Sequence, residues 1–243
     1  RFDLNQATSD DINVKHPSLG EIYTFSSDST SSTYFNSSFS AGYSYDFNEK
    51  LTAGIVAGQG VRSPDMLERF IILLPVGFDN YDYLWNPNLK PEINREVDLS
   101  LRFEDFNLGA VEFTVFYSHV TDFIVGKRIP PSVQRPLSLG VLGVKQYSNA
   151  DFATFSGFEL AVNSPQNRKF VFSANAAYTM GTIYEIQKAI IDPSLPLAQQ
   201  VIGDTLLTND PLFEIPPLEA NFKVQANLLE RKLSLEFHTR YVA

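Results

Sequence analysis

Residues 35–47, FNSSFSAGYSYDF, alternate with a period of two. Phe35, Ser37, Phe39, Ala41, Tyr43, Tyr45 and Phe47 fall on one side, mostly apolar and aromatic. Asn36, Ser38, Ser40, Gly42, Ser44 and Asp46 fall on the other, small and polar. The same alternation returns over residues 51–59, 93–103, 110–119, 155–163, 170–181, 218–228 and 233–242. RFDLN at residues 1–5 fits the tail of one more strand. The pattern predicts an all-β chain of about nine antiparallel strands in a meander, several of them long.

The connections alternate too. Short polar turns are expected at 48–50, 104–107, 164–169 and 230–232, and long segments at 6–32, 62–91, 121–146 and 184–216. Short, long, short, long puts the tight turns at one end of the meander and the large loops at the other, which is the layout of a transmembrane outer-membrane β-barrel. Strands of this length suit a tilted membrane crossing, which takes roughly 9–11 residues. Glu96, Asp98, Glu112, Glu159, Asn221, Lys223, Gln225 and Glu236 would then face a wet lumen. A soluble antiparallel β-sandwich alternates in the same way and stays open as an alternative. Helical signals are few. Ser63 as N-cap with Pro64 at N1 and Asp65 in the first turn predicts one or two turns at 63–70, and EIQKAII at 185–191 predicts another short helix.

Composition narrows the function. Asp plus Glu number 28 against 19 Lys plus Arg, a formal charge of −9. Such a chain repels phosphate over most of its surface, which argues against a nucleic-acid partner. The 20 Phe, 11 Tyr and 1 Trp suit a β-protein with an aromatic-studded surface. The longest apolar run, FIILLPVGF at 70–78, is about half the ~18 residues of a membrane helix and is broken by Pro75 and Gly77.

Chemistry for catalysis is missing from the sequence. Cysteine is absent, and neither a nucleophile elbow nor a phosphate-binding glycine loop occurs. His16, His119 and His238 are far apart and lack metal-ligand spacing. With Met66 and Met180 as the only methionines, a soft-metal cage is unsupported, although His16 or Met66 could add to a site completed by other segments. An enzyme is not expected, and no cofactor or resident metal is implied. The best candidate for ligand contact is the loop FDNYDYLW at 78–85. Tyr81, Tyr83 and Trp85 offer flat apolar faces, and Asp79, Asn80 and Asp82 offer polar partners, a combination suited to sugars, peptides or aromatic chelates. The competing reading is an aromatic girdle or internal loop packing. Arg69, Lys127, Arg128 and Arg135 are candidates to meet an anionic ligand, nearby carboxylates or lipopolysaccharide.

Residues 60–92 hold a more specific signal. VRSPDMLERF followed by NPNLKPE, with Arg62, Pro64, Glu68, Asn86, Pro87, Leu89, Pro91 and Glu92, resembles a signature of TonB-dependent outer-membrane receptors. Phe116-Tyr117 with Asp122 and Ile124, Tyr147-x-Asn149 with Ala153, Gly157-x-Glu159, and Glu214-Ile215-Pro216-Pro217 follow in the order that family shows. Independently of the resemblance, each proline bars its predecessor from helix and cannot donate to a ladder, so Pro64, Pro87 and Pro91 mark strand ends. Arg62 and Glu92 stand at opposite ends of one loop, and a rim ion pair or direct ligand contact are both open readings.

The resemblance implies a bacterial outer-membrane location and active uptake of a scarce nutrient, such as a ferric siderophore, another metal complex or an oligosaccharide. Energy would come from a TonB-type partner acting through a plug. Family barrels have 22 strands and a plug domain. About nine strands over residues 1–243, with no plug-like region, imply part of a barrel, with outer-membrane lipid as a further partner. A passive porin-like small barrel and a soluble carbohydrate-binding β-sandwich are the alternative functions.

Overall fold

A computed structural model describes residues 1–10, 14–16, 20–23, 29–70, 72–75, 79–131, 133–184, 186–196, 199–212, 215–229 and 232–243. The chain opens with β1 (Phe2–Asp10), the short β2 (Val14–His16) and β3 (Gly20–Tyr23), then β4 (Ser29–Ser37), β5 (Phe39–Asn48) and β6 (Leu51–Arg62). A helical turn, α1 (Met66–Phe70), and two short strands, β7 (Ile72–Pro75) and β8 (Tyr81–Leu84), fill the next connection. The long strands β9 (Glu92–Asp105), β10 (Gly109–Ile129), β11 (Gly143–Asn163) and β12 (Phe170–Ile183) follow. The chain closes with β13 (Ile186–Ile191), β14 (Val201–Leu207), β15 (Asp210–Pro211), β16 (Glu219–Leu228) and β17 (Leu233–Val242). The main sheet runs β17-β16-β12-β11-β10-β9-β6-β5, with every neighbour antiparallel and its two ends not joined.

Register turns the alternation of single strands into continuous rows. Tyr45, Ala53, Leu101, Phe113, Leu160, Ala176, Ala220 and Tyr241 pair in succession across all eight strands. The adjoining row is Asp46, Thr52, Arg102, Glu112, Ala161, Asn175, Asn221 and Arg240, on the opposite face. The apolar rows lie exposed, Tyr43, Leu99, Phe113, Phe172 and Phe237 among them, as do polar positions such as Asp46, Arg102 and Glu112 on the other face. A β-sandwich would bury the apolar face against a second sheet. Here the described sheet leaves it bare, the arrangement suited to lipid.

The short turns stand where the sequence places them. The Asn48 Oδ1 accepts from the Lys50 and Leu51 amides at 2.9 and 3.1 Å, and the Asp105 Oδ1 accepts from Asn107 and Leu108 at 2.7 and 3.0 Å. Gly109 leaves the second turn at φ +101°, a conformation open to glycine. The turn at 230–232 lies largely outside the described residues.

Four expectations are corrected. Residues 186–191 form β13, paired with β14 from Ile186↔Leu207 to Ile191↔Val201, because three isoleucines and a partner strand outweigh a weak helical pattern. Segments 121–146 and 6–32 are flanked by paired strand rather than open loop: β10 and β11 stay paired up to Ile129↔Val144, and β1 pairs with β4 from Phe2↔Ser37 to Asp10↔Ser29. The helical cap is Asp65, with Pro64 before it; the Asp65 Oδ1 accepts from the Glu68 amide at 2.8 Å, while Ser63 Oγ accepts from Asn36 Nδ2 at 2.8 Å. The meander also gains a parallel element, since β8 pairs parallel with β11.

Candidate functional site

The connection between β6 and β9 is held at its root by three charged side chains. Arg62, the last residue of β6, donates from Nε to Glu92 Oε2 at 2.6 Å and from Nη1 and Nη2 to Glu68 Oε2 and Oε1 at 3.0 and 2.9 Å. That two-pronged contact matches a planar guanidinium to a carboxylate. Glu68 reaches it because α1 places it three residues after the cap. Its Oε2 accepts from the Asp65 amide at 2.7 Å while Asp65 caps the Glu68 amide in return, a capping box. Glu92, buried at the start of β9, accepts with its other oxygen from the Ile124 amide at 2.7 Å. One carboxylate therefore ties β6, β9 and β10 together.

The asparagines and prolines finish the anchor. Asn86 accepts from the Asn88 amide at 2.9 Å, shaping the turn around Pro87, and its Nδ2 donates to the Tyr147 carbonyl at 2.9 Å. Pro91 ends the turn without a donor, and the neighbouring Lys90 amide and carbonyl exchange hydrogen bonds with the Asn149 side chain at 2.9 and 3.0 Å. Asn149 Nδ2 also donates to the Asp122 carbonyl at 2.6 Å, fixing a residue at φ +54°. Leu89 is buried, and its carbonyl accepts from Tyr34 Oη at 2.8 Å. Pro64 is fully buried.

The loop tip folds inward. Tyr81, Tyr83, Leu84, Trp85 and Leu89 pack with Ile124, Val144 and Tyr147, and Phe70 lies 6.2 Å from Trp85 in a stacked pair. Tyr83 and Tyr147 meet at 5.0 Å between ring centroids, and a Cβ on Gly126 would come within 2.6 Å of the Tyr83 ring. Asp82 is fully buried, with Oδ2 accepting from the Leu137 and Ser138 amides at 2.8 and 2.9 Å. Asp79 accepts from Tyr83 Oη at 2.9 Å and pairs with Lys145, whose Nζ lies 4.4 Å from the Tyr81 ring centroid. Burial pushes the Tyr81 phenol up, and burial together with Glu68, Asp65 and Asp79 pushes Tyr147 up to about 12.

Each candidate contact residue thus has a definite place. Tyr81, Asp82, Tyr83 and Trp85 are closed off from solvent and shape the loop from within, so a solute arriving at this surface does not touch them. Arg69 is buried beneath the Tyr34 and Phe70 rings and donates to the Asp65 carbonyl at 3.2 Å. Arg128 is nearly enclosed and pairs with Asp204 of β14. Gly157 and Glu159 lie on β11, away from the loop; a Cβ on Gly157 would fall 2.1 Å from the Tyr178 carbonyl oxygen and 2.7 Å from the Phe116 ring. The sequence drew no attention to Lys145, because nothing near it marks a partner at Asp79. The side chain of His16 and residue Glu214 lie outside the described residues. Among the described residues no group of three or more His, Asp or Glu could hold a metal ion.

No helix among the described residues is long and apolar enough to cross a membrane, which leaves a crossing by strands untouched. The chain matches the model of the TonB dependent receptor-like β-barrel over residues 1–242. No curated protein matches it. Among solved structures it is similar to the copper transporter OprC, at 20% identity and a TM-score of 0.65, covering 100% of this chain and 31% of that one. It is similar to a double mutant of the Serratia marcescens hemophore receptor HasR in complex with its hemophore HasA and heme, at 14% identity and a TM-score of 0.60, covering 99% and 39%. The siderophore receptor PirA from Pseudomonas aeruginosa gives 16% identity and a TM-score of 0.55, covering 87% and 32%. At such identities the likeness is one of fold, and the chain spans roughly a third of the length of each of these proteins. With exposed apolar rows, an open antiparallel sheet and a family match over residues 1–242, this chain belongs to the TonB-dependent receptor β-barrels, a family of outer-membrane transport receptors and not of enzymes.

Proposed function

We propose that this chain forms part of the wall and rim of a receptor in the bacterial outer membrane that takes up a scarce nutrient with energy supplied through a TonB-type protein. The single observation behind this reading is the division of the sheet. One face is bare and apolar for lipid, the other is polar, and the connection at the end of β6 is clamped by Arg62, Glu68 and Glu92 into a fixed rim. A fixed rim suits capture of a bulky solute better than free diffusion, because it holds the surrounding loops in one geometry before the solute arrives. A ferric siderophore, another metal complex or an oligosaccharide is the substrate class proposed, and the TonB-type partner would act through a plug region outside these residues. Tyr81, Asp82, Tyr83, Trp85, Arg69 and Arg128 contribute by holding loop shape, and solute contact falls to exposed positions around them.

The test is uptake in source cells with and without the receptor that carries this chain. Loss of the receptor is expected to abolish entry of one labelled metal complex or oligosaccharide. Collapse of the proton gradient is expected to stop entry in intact cells while surface binding persists. Entry that continues without the gradient would leave a passive channel in place of this reading.

A further inference from the structure

The apolar face changes character at one level. The row Ala41, Ala57, Val97, Tyr117, Ser156 and Met180 is still largely apolar. The next row toward the rim reads Gln59, Arg95, His119, Thr154 and Thr182 on the same face. Arg95 is exposed, and its Nε donates to Gln59 Oε1 at 3.1 Å. Its neighbours on that face are Gln59, His119, Ala57, Val61, Tyr117, Thr121, Ile93 and Val97, so no carboxylate stands beside it. Cations elsewhere have such partners: Lys50 with Asp105, Lys223 with Glu236 and Arg240 with Glu219. Beside Arg95 the His119 ring stacks on Phe152 at 4.9 Å, and Phe152 on Tyr184 at 4.9 Å with the planes 6° apart. A belt of stacked rings where an apolar band turns polar is how a barrel meets the membrane surface.

We propose that Arg95 and His119, with Gln59, seat the phosphate of an outer-leaflet lipid whose acyl chains run down the rows that begin at Ala57, Val97 and Tyr117. The argument is one of charge and level. A chain of net charge −9 repels an anionic bilayer surface, and a basic residue at the boundary offsets that locally. Guanidinium is matched in shape to phosphate, and Arg95 has two terminal nitrogens left after its bond to Gln59. A lipid supplies both halves of the surface at once, an anion at the belt and hydrocarbon below it.

This inference rests on the outer-membrane reading, and the test separates the two. The full-length receptor in detergent is mixed with bisphosphorylated lipid A, with the same lipid stripped of phosphate, or with inorganic phosphate, and retained lipid is counted by native mass spectrometry. The R95Q/H119Q double variant is expected to retain at least about five-fold less phosphorylated lipid than the unaltered receptor, the scale of one basic residue at an anionic surface. The stripped lipid should be held equally by both, and Arg102→Gln on the opposite face should change nothing. Equal retention of phosphorylated lipid by variant and parent overturns the proposal. Displacement of the lipid by millimolar inorganic phosphate overturns the lipid assignment in favour of a free-anion site. Heat-modifiable migration shows that each variant is folded. A receptor missing from the outer-membrane fraction sinks the reading beneath, whereas a receptor present there with unchanged lipid retention sinks this inference alone.

Discussion

Gly157 has almost no room for a side chain in the wall. It sits on β11 opposite Phe116, whose ring lies over it, and a Cβ would collide with the Tyr178 carbonyl oxygen at 2.1 Å. Backbone cannot yield as a side-chain tip can, so Gly157→Ala is expected to cost about 3 kcal/mol, the upper end of overpacking. Gly60→Ala provides the comparison, since a Cβ there meets nothing within 4 Å. Loss of heat-modifiable migration on a temperature ramp should come markedly earlier for the first variant and almost unchanged for the second; equal midpoints would contradict the packing described. Nothing in the residues around Gly157 announces this constraint, because Tyr178 comes 21 positions later, and only the family motif marked the place. Trp85 gives the converse case. Its neighbours Tyr81, Tyr83 and Asp82 alternate as an exposed strand would, yet the parallel pairing with β11 encloses them.

Among the elements, the connection from β6 to β9 depends on one guanidinium. Arg62 is about half exposed, while Glu68 and Glu92 have side chains only 11% and 10% exposed, so removing Arg62 strands two enclosed carboxylates. Arg62→Ala is expected to loosen this clamp by about 2 kcal/mol, below the range for a fully buried pair because water already reaches the arginine. Amide hydrogen exchange over residues 63–91 should speed up by roughly 30-fold while the centre of β10 stays protected. Unchanged exchange in that loop would show that the prolines and Asn86 hold it without the ion pair. The sequence placed Arg62 and Glu92 at the two ends of the loop, and the prolines dictated where strands stop. It could not supply the second partner of Glu92, the Ile124 amide, because that contact depends on β9 pairing with β10 at one register and no other.

At the scale of the whole molecule, the sheet leaves its apolar side exposed across eight strands and both edges unpaired with each other. Residues 1–243 prepared without detergent are therefore expected to associate into large species on a sizing column, and detergent should disperse them; a monodisperse monomer in plain buffer would contradict the lipid-facing assignment. The alternation of Phe, Tyr, Leu and Val with small polar residues determined by itself that strands form and which residues share a face, since side-chain direction in a strand follows position alone. The spacing of short and long connections determined that one end is tight and the other elaborate. The tertiary structure decided what lies between distant segments: that 121–146 is flanked by paired strand, that 186–191 is a strand and not a helix, and that the aromatic loop turns inward onto Val144 and Tyr147. It also set the row that brings Arg95 beside His119 where the apolar band ends. Each of these rests on pairing between residues far apart in the chain, and a local pattern holds no record of which partner will come to lie beside it.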